Sequence, residues 1–190
     1  KSIILNELLD IYLTIGPPSE KIKEEFCIKY ELDSSYNLGH IINYIERDMT
    51  IKNIIKLNPT LDFELYGYGW DTDKTLQRYN KGVLNQGKDI SKVYNKSKFA
   101  LVSGGYILQQ RTLEAAASGS IPVVLDVRHN SSSYDKSFES AMLFFNTPKD
   151  LTELLKTNRD FNFNELVKSH SYSNLIKKII SIVEEKINEK

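Results

Sequence analysis

The sequence predicts an α/β fold built on a doubly wound parallel sheet. Two observations carry this. Short apolar runs alternate along the chain with longer amphipathic stretches, the pattern of strands and helices taking turns. Residues 109–126, QQRTLEAAASGSIPVVLD, then set a polar helix start, a small-residue helix, a glycine break and an apolar strand in immediate succession. That order of events is how an α/β domain presents a ligand site at the carboxyl end of its sheet.

Taken in order, Ile3 to Ile15 has helical periodicity and stops at Gly16-Pro17-Pro18, a breaker that divides residues 1–18, a helix and linker, from a main domain at 19–190. Phe26 to Leu32 reads as a strand, Asp33 to Gly39 as a polar loop and His40 to Leu57 as a helix. Phe63 to Tyr66 and Tyr79 to Leu84 read as short strands, Ile90 to Ser97 as a helix and Phe99 to Ser103 as a strand. Gln109 to Ser118 is the small-residue helix: Ala115, Ala116, Ala117 and Ser118 let it lie close to a sheet, and Gly119 ends it before the strand Ile121 to Leu125. Met142 to Phe145 is a last short strand, with helices at Pro148 to Lys156 and Tyr172 to Lys190. No repeat or low-complexity tract interrupts this order.

Bulk properties exclude some functions. The chain has 190 residues, enough for one well-buried domain. Its 25 basic and 25 acidic side chains cancel, so overall charge favours neither nucleic acid nor an anionic membrane. The single cysteine, Cys27, has no internal disulfide partner and sits in an apolar stretch, which suits a packed thiol in a reducing, cytoplasmic compartment. No apolar run reaches the ~20 residues that cross a bilayer, and no signal peptide is visible. The chain begins at Lys1 rather than Met, as expected of a piece of a longer protein.

The loops that follow strands hold the candidate ligand groups, because a parallel sheet binds over its carboxyl ends. Ser103-Gly104-Gly105-Tyr106 follows the strand at Phe99 and can bring backbone N–H groups to an anion at the next helix N-terminus; a tight turn is the alternative. Arg111 and Glu114 stand one helical turn apart near that N-terminus, as ligand groups or as an ordinary surface pair. Gly67, Gly69 and Trp70 mark another edge, where glycines permit close approach and the indole covers a ligand or fills the core. His40 is a weaker candidate at a helix start. His129 to Tyr134 reads as a mobile loop able to close over a ligand.

Two other motifs lie at or beside the edge marked by Gly67, Gly69 and Trp70. Gly67-Tyr68-Gly69-Trp70 begins like a dinucleotide fingerprint but lacks its third glycine. Asp71-Thr72-Asp73 has an Asp-x-Asp form able to hold Mg²⁺ or Mn²⁺ beside a diphosphate, yet Asp71 or Thr72 could equally cap a helix over Lys74 to Tyr79. Asn95-Lys96-Ser97 and Asn130-Ser131-Ser132 match the glycosylation sequon by chance, with no secretory signal beside them.

The segment 109–126 resembles the donor-binding half of GT-B glycosyltransferases of the group-1 type, above all the CgeB-like branch: an Arg, two residues, a Glu, a small-residue helix, a Gly and an apolar strand. Flanking matches follow in the family's order. Leu65-Tyr66-Gly67-Tyr68-Gly69-Trp70 is similar to a strand end, Gly82-Val83 to the next step, Val93 to Leu101 to a helix-to-strand passage, and Ser169-His170-Ser171-Tyr172 to the opening of the last helix. The likeness spans roughly residues 25–190. It implies a Rossmann-like domain, one half of a GT-B fold, that binds a nucleotide-diphosphate sugar for transfer to a glycan or other hydroxyl acceptor, with no metal cofactor. It further implies that Glu114 accepts from the ribose hydroxyls, that Arg111 faces the diphosphate, and that Gly82 and Val83 offer backbone groups to the base. On this resemblance Gly67, Gly69, Trp70, Gly104, Gly105 and Tyr106 are the positions expected to line the donor. By the same resemblance an N-terminal domain supplies the acceptor site, facing the loop with Asn37, Gly39 and His40, and the closing helix, with Leu175, Ile179, Ile182 and Val183 apolar, crosses to that half or packs within its own. The group-1 enzymes carry a further glutamate where this chain has Tyr106, a position the CgeB-like branch leaves free. The "GxIPVV" step, Gly119 to Val124, also resembles exostosin-like and fucosyltransferase-like enzymes. A non-catalytic interaction module and a metal-dependent GT-A transferase using Asp71 and Asp73 are the alternatives.

Overall fold

The computed structural model describes residues 2–33, 38–104, 107–130 and 136–188. The N-terminal third is helical. Helix α1 (Ser2–Thr14) ends at Gly16-Pro17-Pro18, all three of which are buried. Helix α2 (Glu20–Tyr30) begins with Ser19, whose hydroxyl accepts from the Ile22 N–H, and continues through a Glu20–Lys23 pair. The strand expected at Phe26 to Leu32 is therefore the end of α2 and the turn after it. Only Phe26 is buried there while Ile28 is 80% exposed, a one-sided helical stripe rather than a buried strand.

The expected helix from His40 to Leu57 is present in three pieces: α3 (Gly39–Tyr44), a π-helical turn (Ile45–Met49) and α4 (Thr50–Leu57). The strands expected at Phe63 to Tyr66 and Tyr79 to Leu84 reduce to one parallel bridge between Leu65 and Asn80. Two 3₁₀ turns, Trp70–Thr72 and Gln77–Tyr79, lie between them.

From residue 88 the order is α5 (Lys88–Lys96), β1 (Phe99–Val102), α6 (Gln110–Ala117), β2 (Ile121–Leu125), β3 (Leu143–Phe145), α7 (Pro148–Leu154), α8 (Asn164–Ser169) and α9 (Tyr172–Asn188): helices and strands alternate as far as β2, and β3 is followed by three helices. The sheet is parallel with order β1-β2-β3; Phe99 faces Ile121 and Val123 faces Leu143. Among the described residues these are its only strands. Among the described residues the order runs one way and shows no reversal of the kind a doubly wound sheet has, since residues 26–32 are helical and 63–84 pair through a single bridge.

Helices cover both faces. Val123, Leu125, Leu143 and Phe145 meet Leu8 and Tyr12 of α1, Phe26 of α2, Ile54 of α4 and Leu151 of α7. Val124 and Met142 turn the other way, to Ala116 of α6 and Leu166 of α8. This alternation along β2 is the period-two geometry of a strand buried on both sides. A third cluster, Ile51, Ile55, Leu65, Trp70 and Leu76, secures the 63–79 segment to α4. No described helix is long and apolar enough to cross a membrane.

Candidate functional site

Helix α6 leaves the carboxyl end of β1, and its first turn is fixed from within. Thr112, fully buried, donates to the Ile107 carbonyl at 3.1 Å while its hydroxyl accepts from the Gln109 N–H at 3.3 Å. Gln109 Nε2 reaches back to the Ser103 carbonyl at 3.4 Å, so the loop after β1 is tied to the helix it feeds. Ala115 and Ala116, buried on the sheet side, hold α6 close to β1 and β2.

With that face against the sheet, Arg111 and Glu114 project from another. Arg111 is exposed and has no ion pair or hydrogen bond among the described residues. Glu114 is half-buried, and its Oε1 accepts from Gln110 Nε2 at 2.7 Å. The ordinary Arg111–Glu114 surface pair does not form. Both instead bear on Tyr94 of α5: burial raises the phenol's pKa, the Glu114 charge adds to that and Arg111 opposes it. Helix α5 is held to the far end of α6 by Asn95 Nδ2, which donates to the Ser118 carbonyl at 3.2 Å, and by the Ser118 hydroxyl, which donates to the Ser91 hydroxyl at 3.3 Å. Tyr94, Arg111 and Glu114 thus form one group between two helices. Tyr94 lies in the Val93 to Leu101 match but is not among the sequence-predicted site residues; the helical spacing of Ile90, Val93 and Tyr94 just before β1 was its available signal.

Gly67, Gly69, Trp70 and Gly82 form a second group. The Gly67 N–H donates to the Gly82 carbonyl at 2.8 Å, and the Lys81 N–H to Leu65 at 2.8 Å. Val83 follows, half exposed. Trp70 is 8% exposed, its indole N–H donates to the Tyr66 carbonyl at 3.0 Å, and the Arg47 guanidinium lies over its ring at 4.2 Å. A base or sugar stacked on that ring face would have to displace Arg47, which is also bound to the Tyr68 carbonyl at 2.6 Å. Helix α5 stands beside both groups. Its Lys92, Val93 and Lys96 line a shallow depression of about 180 Å³ with Glu64 and Tyr66, where burial, then the bond to Glu64, push the Tyr66 hydroxyl up to about 12.

Gly104 stands at the start of the loop between β1 and α6; Gly105, Tyr106 and Asn37 lie outside the described residues, as does most of the 129–134 loop. His40 is exposed on α3 and His129 exposed after β2.

Asp73 is engaged structurally. It pairs with Lys52 at 2.5 Å and accepts from the Thr75 and Leu76 N–H groups, and the Lys52 ammonium first of all holds its carboxyl below the usual range. The expected cap at Asp71 or Thr72 is thus made by Asp73, and the helix over Lys74 to Tyr79 is only the 3₁₀ turn Gln77–Tyr79. Among the described residues no group of three or more His, Cys, Asp or Glu side chains is placed to hold a metal.

A further polar cluster sits at the carboxyl end of β2, where sequence reading stopped at Leu125. Asp126, 8% exposed, accepts from Arg128 Nε at 2.9 Å, Arg128 Nη2 at 2.6 Å and the Arg128 backbone N–H at 3.1 Å. Burial opposes its charge, but these bonds outweigh that and leave the carboxyl below its usual range. Arg128 also reaches Glu139 at 2.9 Å and covers the Phe144 ring at 4.3 Å. Its sequence signal was a charged residue directly after a buried strand.

No curated protein and no solved structure gives a significant match to this chain. A family model described as glycosyl transferase-like matches residues 47–179. That span starts in the π-helical turn and reaches into α9, taking in Trp70, Tyr94, Arg111, Glu114 and the whole sheet. It covers well over half of the sequence, and the chain belongs to the glycosyl transferase-like family.

Proposed function

We propose that this chain is the donor-binding domain of a GT-B glycosyltransferase, holding a nucleotide-diphosphate sugar over the carboxyl edge of its sheet for transfer to a hydroxyl acceptor. The observation that carries the reading is the state of α6: inside the family match, it offers an exposed Arg111 with no ion pair or hydrogen bond among the described residues and a Glu114 with one oxygen set by Gln110. The second Glu114 oxygen accepts from ribose hydroxyls, a charge-assisted contact of about 1.5–3 kcal/mol. Arg111 neutralises the diphosphate as the bond from the sugar C1 to its leaving oxygen breaks and the acceptor hydroxyl oxygen bonds to C1, its proton passing to the departing diphosphate or to solvent. The loop from Ser103, tied to α6 through Gln109, supplies backbone N–H groups to the same diphosphate.

Asp73 is committed to Lys52 and to two backbone N–H groups, which favours transfer without a metal at Asp71 and Asp73. Arg111 and Glu114 lie on an open face, and a second domain carrying the acceptor site would close it. Calorimetric titration with UDP, GDP, CMP and ADP tests the reading. One nucleotide should bind at about 10–500 μM, and Glu114→Ala should weaken it roughly tenfold or more, the share of ~1.4 kcal/mol. A folded protein that binds none of them at millimolar concentration overturns the donor-site assignment and favours the non-catalytic module.

A further inference from the structure

Helix α9 carries the largest uncovered apolar surface of the molecule among the described residues. Leu175, Ile176, Ile179, Ile180, Ile182, Val183 and Ile187 are each between 49% and 66% exposed. At 100° per residue these side chains and Tyr172 share about 160° of the helix circumference, wider than a two-stranded seam and typical of a face that packs in a bundle. Lys186 alone falls within the arc, and its stem can lie along the apolar surface with the ammonium at the edge. The helix meets the body through α8, so neither intradomain packing nor any other described element covers this face. A 17-residue helix is marginal in water without tertiary packing, so its helical state calls for a partner.

The charges say which. Lys177 and Glu184 flank the apolar face on one side, Lys178 and Glu185 on the other. The members of each pair are seven residues apart, two turns or about 10.5 Å along the axis, too far to satisfy one another within the helix. Among the described residues none of the four is in an ion pair. Antiparallel packing of two identical helices apposes like flanks. Centred on Ser181, it sets Lys177 and Lys178 of one copy within a residue of Glu184 and Glu185 of the other, and places Ile179 level with Val183, Leu175 with Ile187 and Ile180 with Ile182. Parallel packing would face lysine with lysine and bring both bodies to the same end. Antiparallel packing puts the bodies at opposite ends of a helix pair about 25 Å long.

We infer that α9 is a homodimerisation element, pairing antiparallel with α9 of a second copy through its apolar face and the Lys177, Lys178, Glu184, Glu185 flanks. The inference is independent of the donor site, and its test does not read nucleotide binding. Sedimentation equilibrium of the full chain from about 1 to 100 μM should show a monomer–dimer equilibrium. The variant K177E/K178E and the variant E184K/E185K should each weaken the dimer at least tenfold, keep the wild-type melting curve of the body, and form a mixed dimer of near wild-type affinity when combined. Reversal of all four charges in one chain should restore the homodimer. A wild-type chain that stays monomeric at 100 μM overturns the inference, since the face is then covered by its own body or by another protein. So does a dimer that neither charge reversal weakens, or two reversed variants that fail to pair.

Discussion

Gly16 offers a test of whether α1 is part of the folded core or only tethered to it. Its φ is +99°, and a Cβ added there would stand 2.8 Å from the Asn146 carbonyl oxygen and 3.0 Å from Asn146 Cβ. That carbonyl cannot easily move. On one side Phe145 is the last residue of β3, its carbonyl bonded to the Asp126 N–H. On the other, Thr147 caps α7 and is locked by reciprocal bonds with Asp150 at 3.1 and 3.2 Å. Gly119 supplies the control: its φ is +85°, yet nothing lies within 4 Å of its added Cβ. Gly119→Ala should therefore cost only the conformational term, about 1–2 kcal/mol. Gly16→Ala should cost that and an overpacking term of about 1–3 kcal/mol more.

For a domain of this size 1 kcal/mol corresponds to ~2–4 °C, so Gly16→Ala should melt about 2–12 °C below Gly119→Ala. Circular dichroism on heating and in urea reads both. If the two variants unfold within about 0.5 kcal/mol of each other, Gly16 does not sit against Asn146. Residues 1–18 would then be a helix and flexible linker, and Leu8 and Tyr12 would not belong to the core with Val123 and Phe145. A Leu8→Ala variant closes the argument from the other end, since a fully buried leucine should cost ~2–5 kcal/mol.

Three further outcomes follow from buried charge and ring contacts. Glu46 sits in the π-helical turn at 4% exposure, with Oε1 accepting from Tyr12 at 2.7 Å and Oε2 without a partner among the described residues; burial, its main influence, raises its pKa against the Tyr12 bond. A carboxyl whose folded pKa lies above its unfolded one favours the protonated state in the fold, so wild type should lose stability as pH rises from the usual carboxylate value through the folded one. Glu46→Gln should flatten that loss and gain about 1 kcal/mol at pH 8 by urea unfolding; an unchanged pH profile would refute it. Asp126 behaves oppositely: its depressed pKa contributes stability above the usual carboxylate value that is lost as pH falls through the folded value, and Asp126→Asn should cost ~1–3 kcal/mol at pH 7 and remove that acid limb. Arg47→Ala should cost about 1–2 kcal/mol and red-shift the emission of Trp70, the chain's one tryptophan, and no spectral change would mean the guanidinium does not cover the ring.

The C-terminal half of the fold was legible because its signals are local. The run Ala115 to Ser118, the break at Gly119 and the strand Ile121 to Leu125 act within a few residues of one another, and the structure repeats them nearly residue for residue. Phe26 to Leu32 misled because seven residues of mixed character do not separate strand from helix by periodicity. The deciding signal was upstream, in the Ser19 cap and the Glu20 to Glu25 charge run that commit the segment to α2 before its apolar residues begin. The weak pairing of residues 63–84 has a different cause: Leu65, Trp70 and Leu76 bury against Ile51 and Ile55 of α4, with Phe63 and Tyr79 packed beside them, so the segment is held by a helix and pairs through a single bridge.

The sites show the limit of local reading more sharply. Arg111 and Glu114 were legible as a pair because one turn of α6 separates them, but Glu114 is oriented by Gln110 beside it, and the phenol both charges act on, Tyr94, belongs to another helix. Trp70 sits in a glycine-rich turn that reads as a ligand edge, whereas the residue occupying its face is Arg47, brought there by the π-helical turn. Asp73 reads as half of a metal motif, whereas Lys52 claims it. In both cases a cation from one helical rod, residues 39–57, settles a side chain in the loop that follows. A motif in that loop can therefore bind a ligand only to the extent that the ligand outcompetes a partner already held at 2.5–4.2 Å. No such competitor stands at Arg111 among the described residues, and that difference, rather than the motif each belongs to, ranks Arg111 above Trp70 and Asp73 as a ligand group.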